Sequence, residues 1–123
     1  MSLTIDTALK EVQAIEGFLG ASLVDYESGM PLGIVSSDPE FDLDVAAAVT
    51  TDIVRAQVKA FRALEVEDAI EDILISLTNQ YHIIRVVDRE ADRLFLYVAL
   101  DRERANLGLA RITLRKIERE LAV

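Results

Sequence analysis

Cysteine is absent from this chain of 123 residues, and histidine occurs once. Without cysteine there is no disulfide framework, no thiolate nucleophile and no thiolate metal site. The one histidine, His82, has no His or Cys partner for a metal or a triad, and a lone strand histidine reads as structural or solvated. Long apolar runs are also missing, and no stretch approaches the ~20 residues a membrane span needs. The opening MSLTIDTALKEV carries acids early and lacks the basic, apolar, small-residue order of a secretory signal. Together with the missing cysteine, this fits a cytoplasmic protein.

Glycine is scarce, with 5 in the chain, and none is spaced for a phosphate loop or a Gly-x-Gly-x-x-Gly turn. Gly17 and Gly20 precede a strand and are followed by no third glycine. Carboxylates are numerous but sit in turns and on helix surfaces without distinctive pairing. No catalytic residue, metal site or cofactor is therefore expected. Basic residues are outnumbered 13 to 22, for a net charge of −9. That balance argues against nucleic acid and anionic membranes, which reward clustered Lys and Arg. Arg89, Arg102 and Arg104 read as surface residues, and Asp88 to Asp92 as a solvated turn.

What is present is apolar material, 51% of the chain, enough for the core of one domain spanning residues 1–123. Ile5, Leu9, Val12 and Ile15 recur at helical spacing, predicting a helix from Thr4 to Ile15, capped by Thr4 or Asp6 and stopped at Gly17. Two extended runs, Leu19 to Tyr26 and Met30 to Val35, flank a Ser28-Gly29 turn and predict a hairpin. Pro39 marks a loop, and Asp42 caps a long helix from Leu43 to Leu64. Three strands follow as a meander: Ala69 to Thr78, Tyr81 to Val87 and Arg93 to Leu100. The last two strands are apolar on both faces, so helices should cover both sides of the sheet. A final helix is predicted from an Asp101 cap to Leu121. The order α-β-β-α-β-β-β-α describes a three-layer α/β/α sandwich, formally α+β.

The second helix has two apolar stripes where most surface helices have one. Val45, Val49, Ile53, Ala56, Ala60 and Leu64 fall within an arc of about 100°. Ala47, Val54, Val58 and Phe61 form a second arc, centred roughly 140° away. One stripe can bury against the sheet. The other is either covered within the monomer or packs on a second copy about a two-fold axis. The expected dimer face takes Ala47, Val54, Val58 and Phe61 from the helix. It takes Ile73, Leu74 and Ile75 from the strand that follows, whose edge either invites another chain or is covered by the first hairpin. Ala48, Asp52, Arg55, Lys59 and Arg62 form a polar rim where another protein could approach closely.

The element order, the Phe18-Leu19-Gly20-Ala21-Ser22-Leu23-Val24-Asp25 strand with Gly29 in its turn, and the closing Leu100-Asp101-Arg102-Glu103-Arg104-Ala105-Asn106-Leu107-Gly108-Leu109-Ala110-Arg111 resemble the Roadblock/LC7 family. The similarity is to its bacterial and archaeal members, which accompany small Ras-like GTPases, and it covers essentially the whole chain. It implies a five-stranded antiparallel sheet of profilin-like plan, with the second helix on one face and the terminal helices on the other. It also implies homodimers built from the second helix and the third strand, and action as a GTPase-activating or scaffolding subunit with no donated catalytic arginine. The leading expectation is a homodimeric regulator, activator or platform, of a small Ras-like GTPase that is not itself an enzyme. The alternatives are a dimeric scaffold subunit of a signalling or sensor complex, and a profilin-like or PAS-like ligand-sensing module.

Overall fold

The computed structural model describes residues 2–88 and 93–122. Helix α1 (Ile5–Gln13) begins where the Thr4 side chain accepts the Thr7 N–H, and it buries Ala8, Leu9 and Val12. Gly17 then turns the chain with φ +87. A Cβ there would lie 3.0 Å from the Asp101 carbonyl oxygen and 3.1 Å from the Ala105 nitrogen, so only glycine fits. Strand β1 (Phe18–Asp25) and strand β2 (Met30–Ser36) form the expected hairpin. Helix α2 (Leu43–Ala63) is capped by Asp42, whose carboxylate accepts the Asp44 and Val45 N–H groups. Strands β3 (Asp72–Ser76), β4 (Gln80–Asp88) and β5 (Arg93–Asp101) lead to helix α3 (Leu107–Glu120).

All strand pairings are antiparallel, in the order β2-β1-β5-β4-β3. The outermost positions belong to β2 and β3, so the first hairpin lies across the sheet from β3 and does not cover its edge. The strands β4 and β5 do present apolar side chains to both faces. Leu9, Val12, Leu23, Ile83, Leu96, Val98, Leu114 and Ile117 build a core under α1 and α3. Val24, Leu43, Ala47, Val54, Ile84, Phe95 and Tyr97 build the other, under α2. The architecture is the expected three-layer α+β sandwich.

Two local expectations change. Helix α3 is not capped by Asp101, which instead closes β5 and accepts the Glu103 N–H in a turn. The cap is Asn106, whose side chain accepts the Leu109 N–H. Strand β3 is shorter than the predicted Ala69 to Thr78, because its register with β4 runs only from Asp72↔Arg85 to Ser76↔Tyr81. Of the predicted turn from Asp88 to Asp92, Asp88 closes β4 and the other four residues lie outside the described residues.

The largest correction concerns α2. Both arcs exist, but the one assigned to a dimer face is the inward one. Ala47 and Val54 have no exposure at all, packed with Phe95 and Ile84 beneath the helix. Val58 and Phe61 are half-buried beside them. The outward arc is the other, with Val45 57% and Val49 56% exposed. The reason is local: Leu43, Thr50 and Thr51 are buried with Ala47 and Val54. Leu43 reaches Gly20 and Thr51 reaches Gly29, which fixes the rotation of the helix on β1. Two threonines on the inner face made that stripe look interrupted in the sequence.

Candidate functional site

The outward face of α2 is an apolar surface that the fold leaves uncovered. Val45, Val49 and Ala56 are exposed along it, and Ile53 and Ala60 are half-buried at its inner border. Leu64, just past the helix, is 69% exposed. Four-residue spacing keeps Val45, Val49, Ile53 and Ala56 on one continuous strip. Water in contact with such a strip costs free energy that a second surface would recover, and a monomer has little reason to keep it.

The sequence expectation for β3 divides between the two faces of the sheet. Ile73 and Ile75 are half-buried on the α2 side, while Leu74 alternates to the opposite side and is 41% exposed. The backbone of β3 pairs with β4 alone among the described strands. Its other edge is open to a further strand. Val58 and Phe61, removed from the outer face, instead line a cleft of about 220 Å³ with Val66, Ala69, Ile70 and Val86.

Ala48, Asp52, Arg55, Lys59 and Arg62 are all exposed on one flank of α2. Arg55 is fixed there. Its Nε donates to the Tyr26 carbonyl at 2.7 Å, and one Nη donates to the Glu27 carbonyl. Arg102 is fixed elsewhere: one of its Nη atoms donates to Ser76 Oγ and to the Leu77 carbonyl, both at 2.9 Å. Its guanidinium also lies 5.0 Å from the centroid of the Tyr81 ring. It secures the end of β3. Arg104 is exposed.

His82 is held by two hydrogen bonds, one ring nitrogen 2.7 Å from Gln80 Oε1 and the other 3.1 Å from the Tyr97 hydroxyl. Phe41 stands edge-on to the imidazole. Burial holds the His82 pKa below its ordinary value and pushes the Tyr97 phenol up to about 12. Both groups are neutral near pH 7, which suits a packing role.

Sequence reasoning missed one feature, a buried ionic network under β3. Arg85 of β4 is 6% exposed, and its guanidinium lies 3.1 Å from Glu118 of α3 and 4.0 Å from Asp72 of β3. Arg111 of α3 binds the same Asp72 through two hydrogen bonds of 2.9 and 3.0 Å. The signal was a lone arginine inside the apolar run Ile83 to Val87, which should have demanded buried carboxylates. The network ties α3 to the edge strand. Among the described residues no group of three or more His, Cys, Asp or Glu side chains could hold a metal. None of their helices is long and apolar enough to cross a membrane.

No protein-family model matches the chain, and no curated protein matches it in sequence. Solved structures do match it in shape. The chain has the Roadblock/LC7 fold. A Roadblock/LC7 domain from Streptomyces avermitilis matches with TM-score 0.75 and 14% identity, over 90% of this chain and 88% of that one. The gliding protein MglB from Thermus thermophilus matches with TM-score 0.78 and 16% identity, over 93% and 82%. An MglB in a tetrameric arrangement matches with TM-score 0.77 and 17% identity, over 93% and 82%. Identities this low carry the fold and nothing finer.

Proposed function

We propose that two copies of this single-domain protein pair through the outward stripe of α2 and the open edge of β3, and that the pair is a platform for a small Ras-like GTPase in the cytoplasm. The carrying observation is the strip Val45, Val49, Ile53 and Ala56, apolar and turned outward on α2. Pairing about a two-fold axis would cover both strips at once, because an isologous contact uses the same patch twice. The tetrameric arrangement of one MglB structure supports self-association in this fold. The resemblance to regulators of Ras-like GTPases supports the partner class.

In this reading the protein acts by binding. An activator of this kind holds the GTPase's own catalytic groups and water in place, which is catalysis by positioning. The test is to mix the purified protein with a Ras-like GTPase encoded beside it, loaded with a non-hydrolysable triphosphate or with diphosphate. Binding should favour the triphosphate state. Arg62→Ala should then lower affinity while leaving turnover of the saturated complex unchanged. Loss of about a thousand-fold in turnover with binding intact would reveal a donated arginine and contradict positioning. Binding without any change in turnover would favour the second reading, a dimeric scaffold.

A further inference from the structure

Four of the thirteen basic residues of this acidic chain converge on one cleft. Its volume is about 280 Å³, and it lies where α2 passes the β1–β2 turn and the start of β5. Arg55, Lys59 and Arg62 project from α2 at i, i+4 and i+7, the spacing that stacks side chains on one face. Arg93 joins them from β5, and Glu27 is the one acid among the lining residues. Arg93 is neutralised by Glu27 at 3.0 Å. Arg55 is oriented by two backbone carbonyls and has no carboxylate in that contact. Lys59 and Arg62 have no ion pair or side-chain hydrogen bond among the described residues.

Helix-dipole compensation does not account for this, since it would place cations around the last turn and not along one flank over two turns. We propose that the cleft receives a carboxylate-rich segment of the partner protein. The inference rests on the platform reading above and gives its partner a chemistry. A protein segment is favoured over a small anion because the cations are exposed. In open water such cations gain little from a small anion. A partner's surface would exclude water from the cleft and strengthen each contact, while the remaining acidic surface would repel other acidic proteins. The flank that carries these cations is separate from the outward stripe of α2, so the stripe can pair with a second copy while the flank meets the partner.

The experiment uses the full chain, a fluorescent Glu/Asp-rich peptide of about a dozen residues, its Gln/Asn counterpart and inorganic pyrophosphate. Anisotropy should show binding of the acidic peptide alone, weakening with salt. Amide resonance shifts should map to residues 26–28, 55–62 and 93. Lys59→Glu with Arg62→Glu should weaken binding about tenfold or more, whereas Lys116→Glu with Arg119→Glu, the same charge change on α3, should alter it less than about twofold. No peptide binding, shifts mapping elsewhere, equal effects of the two double variants, or tighter binding of pyrophosphate than of the peptide would each overturn the proposal. Because no GTPase is present, these results stand apart from whether a GTPase binds.

Discussion

The two faces of the sheet are closed to different degrees. Under α1 and α3, 17 buried residues form one cluster, and two helices plus the Leu3–Leu121 bridge roof it over. Under α2 the cluster has nine, and one helix covers it alone. That single helix also carries apolar side chains outward, and on the same side the edge strand β2 exposes Ile34. The opposite side exposes Leu109 and Ile112 on α3 and Leu74 on β3. The contrast separates stability from recognition: one face mainly holds the domain together, and the other leaves apolar surface for a partner.

Substitutions can sharpen that division. The largest effect should come from the closed face. Leu114 is fully buried, so Leu114→Ala should cost ~2–5 kcal/mol in denaturant unfolding, through lost transfer energy and the cavity left behind. Gly17→Ala should cost ~1–3 kcal/mol, because the positive φ and the neighbouring Asp101 and Ala105 backbone admit no side chain there.

Asp72→Asn tests the ionic network. It leaves the buried Arg85 with Glu118 as its remaining carboxylate and weakens the Arg111 contact. A loss of about 2 kcal/mol is expected, below the full cost of orphaning a buried charge because one partner stays. An unchanged unfolding midpoint would show that the network contributes no net stability.

The smallest effect concerns His82, on the α2 side. Its folded-state pKa lies below the ordinary value, so the unfolded chain takes up the proton first as pH falls. Stability present above about pH 6.5 should therefore be lost as pH drops from there toward the folded-state value. In His82→Gln the decline between pH 7 and 5.5 should be shallower. An identical slope would mean that other groups carry it.

The layers were legible in the sequence because they rest on periodicity. Strands β4 and β5 alternate apolar residues to both faces, and that alone demanded helices on both sides. The Thr4 and Asp42 caps and the Gly29 turn were legible as local chemistry. The rotation of α2 was not. Its inner face includes Thr50 and Thr51, and the Thr51 hydroxyl is satisfied by the Ala47 carbonyl at 2.7 Å. A threonine bonded back to its own helix can be buried without penalty, so polarity misreported the inner face while Val45 and Val49 looked like core. The Arg85 network escaped for a related reason, since its partners lie 13 residues before it and 33 after it in sequence. The Asn106 cap was hidden by an equally good candidate, Asp101.

The most direct test of the central claim is molar mass by light scattering at micromolar concentration, for the native chain and for Val49→Arg. Val49 is 56% exposed in the monomer, so the substitution leaves the monomer fold intact. Two arginines buried face to face would cost several kcal/mol at the interface. The expected result is a dimer mass for the native chain and a monomer mass, with unchanged far-UV circular dichroism, for Val49→Arg. A native monomer throughout that range, or a Val49→Arg protein as dimeric as the native one, would contradict the assignment of the outward face of α2 as the pairing surface.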